Sequence, residues 1–342
     1  MRAFITGLSG PALSEAERSF LRESDPWGLI IFQRNIVGPQ ALQRLTAECR
    51  TVLGWEAPIL VDQEGGRVQR MNRPHWPEYP PAAAYGELYQ RDRARGLAAA
   101  RLAARLIAAD LAGVGIDVDC MPVADVPVAG ADAVIGDRAF GFDPESVAAL
   151  AGAFAEGLEE GGVLPVVKHV PGHGRATADS HKKLPTVTAE RASLETSDFA
   201  AFRPLAGLPL AMTAHVVFTA IDPSAPATTS VAIVRDVIRG SIGFQGVLMS
   251  DDLSMGALSG SLAERTRAAI EAGCDVALHC NGDMVEMEAV AAEAPVLGGE
   301  AARRAGAALA RRKPADPIDL AVKRAEFSAL MSAVWEPARG SA

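Results

Sequence analysis

The sequence predicts a single-domain α/β chain built as a (β/α)8 TIM-type barrel with extra C-terminal helices. Three observations carry that expectation. Eight short apolar runs alternate with longer stretches of helical periodicity, the trace that parallel strands and crossover helices leave in a sequence. At 342 residues the chain has the length of one large barrel, and no linker or low-complexity segment divides it. Six of the runs end in an ionisable or amide residue, as expected where a barrel gathers its chemistry at one rim. An open doubly wound sheet is the structural rival, but no G-x-G-x-x-G follows an early strand to support it.

In chain order the strand candidates are 3–5, 29–32, 59–61, 116–118, 163–167, 210–213, 247–249 and 276–278. Helical patterns fall between them at 39–53, 91–112, 144–160, 232–239 and 262–272. After Pro295 two further helices are expected, 300–310 and 320–331, too little for a second domain. The chain is therefore read as one domain, 1–342, with the barrel core at about 1–295 and C-terminal helices at 296–335.

Composition narrows the class. With 49% hydrophobic and 22% charged residues, this is ordinary globular material with ample core. A net charge of −9 argues against a nucleic-acid partner. Cys49, Cys120, Cys274 and Cys280 are scattered without CxxC spacing, which fits a reducing compartment and neither a disulfide framework nor a zinc ribbon. The first seven residues are broken by Gly7 too early for a signal peptide. The longest apolar tract, 96–116, is interrupted by Arg101, Arg105 and Asp110, the mark of an amphipathic helix rather than a membrane span. The expectation is a cytoplasmic monomer with no membrane or nucleic-acid partner.

The densest chemistry lies between Lys168 and His181. Those fourteen residues hold three of the six histidines, two glycines and a proline. A β-branched run leads into them, so a strand ends at a cation and an imidazole and then opens into a loop. Asp179 and His181 stand two apart. In an extended segment they share a face, where a carboxylate can hold an imidazole by its ring N–H and set its tautomer. A proton-transfer catalyst needs that arrangement; a solvated Pro-Gly-His-Gly turn is the bland alternative.

The other strand ends carry Asp62, Asp119, His215, Asp251 and Asn281. A single strand-end aspartate is most often a cap, but six such ends are harder to explain that way. After Asp62 comes a Gly65-Gly66 turn and then Arg67 and Arg70, so Arg70 can reach back to a ligand that Asp62 holds, or simply pair with Asp62 across the turn. A second glycine-bounded loop holds Asp137 and Arg138. Asp251 and Asp252 end a strand together; successive residues point opposite ways, so only one is expected to face the barrel axis.

Taken together, Asp62-Gln63-Glu64-Gly65-Gly66-Arg67, Lys168-His169-Val170-Pro171-Gly172-His173-Gly174 with Asp179-Ser180-His181, and Ser250-Asp251-Asp252-Leu253-Ser254-Met255 resemble glycoside hydrolase family 3. More narrowly, the chain is similar to the bacterial cytoplasmic β-N-acetylglucosaminidases (β-hexosaminidases) of peptidoglycan recycling. The resemblance runs in order along nearly the whole chain and includes Ile135-Gly136-Asp137-Arg138. It implies a retaining exo-enzyme that hydrolyses terminal β-linked N-acetylglucosamine from muropeptide fragments, with no metal and no cofactor. It places the nucleophile on Asp251, the acid/base on His181 and its dyad partner on Asp179. Sugar-binding roles fall on Asp62, Arg70, Arg138, Lys168 and His169. Two departures bear on fine specificity: Val170 stands where phenylalanine is more usual, and Arg175-Ala176-Thr177-Ala178 where acidic residues are frequent.

The implied chemistry is coherent from below. A retaining glycosidase needs a carboxylate to attack the anomeric carbon and a proton donor for the leaving oxygen. An imidazole titrates near neutrality and serves as acid in one step and base in the next. Alternatives are a family-3 β-glycosidase of other sugar specificity, or a phosphorylase in which phosphate replaces water. A metal-dependent barrel hydrolase using His169, His173, His181 and Asp251 is a further rival, without the H-x-H pair on an early strand that would favour it. A non-catalytic sugar-binding barrel is the last, and the joint presence of Asp251, Asp179 and His181 speaks against it.

Overall fold

All eight apolar runs become strands of one closed parallel barrel in the computed structural model, which describes residues 1–337. The strands are β1 (Arg2–Gly7), β2 (Pro26–Ile31), β3 (Ile59–Val61), β4 (Val118–Asp119), β5 (Leu164–Val170), β6 (Leu210–Thr213), β7 (Val247–Asp252) and β8 (Val276–His279). Each pairs with its neighbour in sequence, and β1 closes the ring by pairing with β8. The five residues of the expected domain at 338–342 lie outside the described residues.

The runs are apolar throughout because both faces of each strand are buried. Alternate residues divide between two cores. Ile5, Leu60, Val118, Val166, Met212, Met249 and Leu278 fill the barrel interior, whereas Phe4, Ile59, Val61, Val167, Ala211, Leu248 and Ala277 pack outward against helices.

Helix ends follow local chemistry. The Pro39–Leu53 helix begins on proline and stops at Gly54 in the left-handed region (φ 75°). The Pro144–Glu160 helix is capped by Asp143, and Leu262–Ala272 by a Ser261–Glu264 capping box. The expected helix 91–112 forms as Arg93–Ala112, because Asp92 turns extended and accepts the Arg95 N–H as its cap; Arg91 instead ends a separate helix, Ala82–Arg91. Helices at Glu15–Ser24, Arg191–Thr196, Asp198–Phe202 and Met284–Glu293 also form, without counterparts among the expected helices.

The chain after β8 closes the N-terminal mouth of the barrel. Arg304 Nη1 lies 2.9 Å from Asp275, which also pairs with Arg239 at 2.7 Å. Arg312 lies 2.8 Å from Asp117, which also meets Arg50 at 3.2 Å. Farther on, Phe327 of the Leu320–Met331 helix packs against Tyr79 and Tyr85, with ring centroids 6.2 and 6.5 Å apart. Among the described residues no helix is long and apolar enough to cross a membrane, and all four cysteines are free and buried.

Candidate active site

The site is assembled at the C-terminal ends of the strands, where the connecting loops are free to vary. Asp62 leaves β3 and is followed by an antiparallel hairpin, Gln63–Gly65 with Val68–Gln69. The turn demands glycine: Gly65 has φ 93°, and a Cβ there would stand 2.4 Å from the Pro80 carbonyl oxygen. Gln63 staples the returning chain, its amide oxygen accepting the N–H groups of Arg70 (3.0 Å) and Met71 (2.9 Å). Arg70 is thereby brought back to Asp62, donating to Oδ2 at 2.9 Å.

Beneath this turn lies a buried ion network. Lys168, from β5, donates to Asp62 Oδ1 at 2.9 Å and reaches Glu64 Oε1 at 2.6 Å. Arg138 grips both oxygens of Glu64 at 2.8 Å each. Burial alone would raise the Glu64 carboxyl, but Arg138 and Lys168 outweigh it and hold it at about 2. Burial likewise opposes ionisation of Asp62, and Lys168 and Arg70 again win, leaving it well below the usual carboxylate range. Lys168 stays charged in the same way, because two anions overcome its desolvation.

Next along β5, His169 is set by a fully buried aspartate. Its Nδ1 is 2.7 Å from Asp125 Oδ2, and Asp125 Oδ1 accepts the His173 backbone N–H at 2.6 Å. Burial would raise Asp125, yet the two histidines keep it low, so it accepts and the His169 proton sits on Nδ1. Nε2 is left for a ligand. His173 is different: burial, with His169 beside it, pushes its ring down to about 4, so it is neutral at physiological pH.

At the end of β7, Asp251 Oδ1 accepts the Asp252 N–H at 2.8 Å, and its other oxygen has no protein partner among the described residues. Burial would raise Asp251, but His215, His169, the Asp252 N–H and Lys168 together lower it, so it is an anion through the neutral range. Asp252 is spent on the loop, accepting from Ser254 N (3.1 Å), Ser254 Oγ (2.6 Å) and Cys280 N (3.2 Å). On the loop after β5, Asp179 Oδ1 is 2.8 Å from His181 Nδ1 and also accepts the His181 backbone N–H at 3.0 Å. Asp251, Asp179, His181, Asp62, Arg70, Arg138, Lys168 and His169 all line one cavity of about 510 Å³, a volume suited to a small ligand.

The N-terminal domain model of glycosyl hydrolase family 3 matches residues 5–306. The chain belongs to glycosyl hydrolase family 3. A beta-hexosaminidase of Aromatoleum aromaticum is 40% identical over 317 residues, 92% of this chain and 88% of its own. Another beta-hexosaminidase, from Alkalilimnicola ehrlichii, is 43% identical over 281 residues, 81% of this chain and 80% of its own. Among solved structures, NagZ from Neisseria gonorrhoeae in complex with N-trifluoroacetyl-D-glucosamine superposes with a TM-score of 0.84 at 33% identity, covering 97% of this chain and 96% of that one. The protein is a glycoside hydrolase, related over most of its length to proteins named beta-hexosaminidase.

For this family-3 hydrolase, the eight residues singled out from sequence converge. Of the other strand-end residues, Asn281 lines the same cavity, whereas Asp119 and His215 do not. Asp119 is fully buried and accepts the Gln63 N–H at 3.0 Å, below the cavity. His215 is buried between Thr228 Oγ1 (2.7 Å) and the Asp252 carbonyl (3.0 Å). Asp179 and His181 meet in a turn rather than an extended segment, since the Asp179 carbonyl accepts from Lys182 and Lys183, both at 3.0 Å. Both Asp251 and Asp252 border the cavity, contrary to strict alternation, because the register of β7 on β8 slips between Met249 and Asp252. Of the two departures from the family pattern, Val170 is simply buried in β5, and Arg175 pairs with buried Asp198 at 2.6 Å at the root of the loop.

The metal-dependent alternative needs His169, His173, His181 and Asp251 to converge on one ion. Among the described residues no three His, Cys, Asp or Glu side chains are grouped to hold a metal. His169 Nδ1 and His173 Nε2 are instead taken by Asp125 and by Ser180 Oγ, the latter at 3.1 Å.

Asp125, Glu64 and Ser180 received no role from the sequence. Asp125 did leave a signal: it is the one acid in the apolar run 120–128, where burial without a partner is costly.

Proposed function

We propose that this glycoside hydrolase is a retaining exo-β-N-acetylglucosaminidase that releases terminal β-linked N-acetylglucosamine from muropeptide fragments of peptidoglycan. One observation carries the reading: an ionised Asp251 with an uncommitted oxygen shares a cavity with an Asp179–His181 pair on an exposed loop. In the double displacement, Asp251 attacks the anomeric carbon while protonated His181 donates to the leaving oxygen. Neutral His181 then takes a proton from water, which attacks the glycosyl-enzyme from the face the aglycone vacated. Asp179, acid-shifted despite slight desolvation because it accepts from the His181 backbone and ring, holds that ring's Nδ1–H and presents Nε2 to the reaction.

The network of Asp62, Glu64, Arg70, Arg138 and Lys168 holds the sugar's hydroxyls, with His169 Nε2 beside the nucleophile. Its three cations exceed its two anions by one charge, which favours an electron-rich, hydroxyl-bearing ligand near anionic Asp251. The acetamido group is inferred from kinship: the relatives carry the name beta-hexosaminidase, and the gonococcal neighbour is in complex with an N-acylated glucosamine. The peptidoglycan source rests on the family resemblance. Free buried cysteines support a reducing, cytoplasmic setting. One chain supplies every residue named, which supports action as a monomer and as one domain over 1–342.

The reading is tested with aryl β-glycosides that differ only at the second ring carbon, bearing hydroxyl, amino or acetamido. The acetamido compound is expected to have the highest kcat/KM by orders of magnitude. Equal or better turnover of the hydroxyl compound overturns the sugar assignment.

A further inference from the structure

A general acid must keep its ring within hydrogen-bond reach of the leaving oxygen, yet His181 leaves 65% of its side chain open to solvent. Its neighbours Lys182 and Lys183 are exposed as well. Between the two members of the dyad sits an exception, Ser180, which is only 3% exposed.

Ser180 is tied on two sides. Its Oγ is hydrogen-bonded to His173 Nε2 at 3.1 Å. Its carbonyl accepts the Ala257 N–H at 3.1 Å, and the next carbonyl, of His181, accepts the Gly256 N–H at 3.3 Å. Residues 256–257 belong to the loop that follows the Asp251 strand. His173, for its part, is held from the barrel interior, where Asp125 accepts its backbone N–H at 2.6 Å and its ring lies edge-on to His169 with centroids 5.8 Å apart. Gly256 leaves the room for the second tie: a Cβ there would stand 3.0 Å from the His181 carbonyl oxygen and 3.3 Å from that of Lys182.

We propose that Ser180 is a positioning residue for the acid/base, and that its side chain on His173 and the paired backbone bonds to 256–257 form a latch holding the dyad against the nucleophile's own loop. The inference rests on the reading of His181 as the acid/base. Of the sugar-gripping residues the latch meets only His169, through the His173 ring, and His169 keeps its own hold on Asp125. Loosening it therefore lets the imidazole drift from the leaving oxygen while the sugar stays seated, which damages proton transfer and spares binding.

The experiment compares Ser180→Ala, which removes the hydroxyl, with Gly256→Ala, which pushes on the latch from the opposite side. Each is measured on aryl β-N-acetylglucosaminides with an activated leaving group (dinitrophenyl) and a poor one (phenyl), alone and combined with His181→Ala. Each variant should lose about ten- to hundredfold in kcat on the phenyl substrate, the scale that small misplacements of a reacting group cost. Neither KM on the phenyl substrate nor the pre-steady-state release of the dinitrophenyl group should change appreciably. Adding Ser180→Ala to His181→Ala should cost nothing more, because there is no ring left to position. A Ser180→Ala loss equal for both substrates, or additive with His181→Ala, overturns the latch while the leaving-group bias of His181→Ala keeps the acid/base assignment standing. A His181→Ala variant without that bias defeats the assignment itself, and the latch with it. If Ser180→Ala fails to fold, wild-type behaviour of Gly256→Ala on both substrates is the overturning result.

Discussion

Lys168 keeps 2% of its side chain exposed between two carboxylates, whereas His181 leaves 65% open to solvent, and both line the same cavity. Under the proposed mechanism the contrast is one of tasks. A sugar's hydroxyls are recognised by dipoles and charges already pointing the right way, and low dielectric makes such preorganised groups strong. That requires burial, and burial requires each charge to have its partner, which Asp62, Glu64, Arg138 and Lys168 supply to one another. The proton donor has to meet an aglycone that leaves and a water that arrives. An exposed loop permits that traffic, and Asp179 needs only to fix the ring's tautomer.

The sharpest way to break this comparison is to remove what both parts serve. Asp251→Asn keeps the shape and deletes the attacking charge, so turnover should fall by roughly 10⁴-fold or more with the fold intact. A 2-fluoro glycosyl substrate should leave a covalent adduct on Asp251 by mass spectrometry; an adduct on Asp252 reverses the assignment between the pair. Next in size come the buried charges. Arg138→Ala and Lys168→Ala should each cost about 3 kcal/mol or more in kcat/KM, because each strands a buried carboxylate partner. Near wild-type kinetics in either variant would show that burial there serves stability alone.

The exposed part should respond selectively. His181→Ala should release an activated aryl group in a pre-steady-state burst and accumulate glycosyl-enzyme, since no base remains to activate water. Catalysis by the substrate's own acetamido group predicts neither burst nor adduct. The smallest effect is on stability against pH. Glu64 ionises at about 2 in the folded chain, below its ordinary 4.5, so it stabilises the fold at higher pH and loses that contribution as pH falls from 4.5 toward 2. The thermal midpoint of Glu64→Gln should therefore lie below wild type at neutral pH and approach it across that interval; a constant gap would mean that the charge is not what matters.

Legibility in the sequence followed the range of the interaction. The eight strands were readable because each is apolar on both faces, and the helices 39–53, 144–160, 262–272 and 320–331 because their caps lie within a few residues. Glu15–Ser24 is mostly polar with few apolar positions, so its periodicity was too thin to mark it. Asp92 alone separates the helix Ala82–Arg91 from Arg93–Ala112, and only the second stands out by its periodicity. In the site, strand-end residues and recurring motifs stood out one by one. Asp125 and Glu64 act through partners 44 and 74 positions away, and no local pattern records such a pairing. Ser180 lies within the Asp179-Ser180-His181 motif, yet its burial depends on His173 and on the 256–257 loop, which only the folded chain brings together.

The closure of the barrel's N-terminal mouth has a consequence for the order in which the molecule is made. All eight strands have been synthesised by His279, but Asp275 waits 29 residues for Arg304, and Asp117 holds only Arg50 until Arg312 emerges. A growing chain can therefore assemble its ring of strands while the floor beneath them stays wet. The helical segment after residue 295 is the plug. Translation delivers it after the whole ring of strands, so the end of the barrel opposite the candidate site is closed only once Arg312 has emerged.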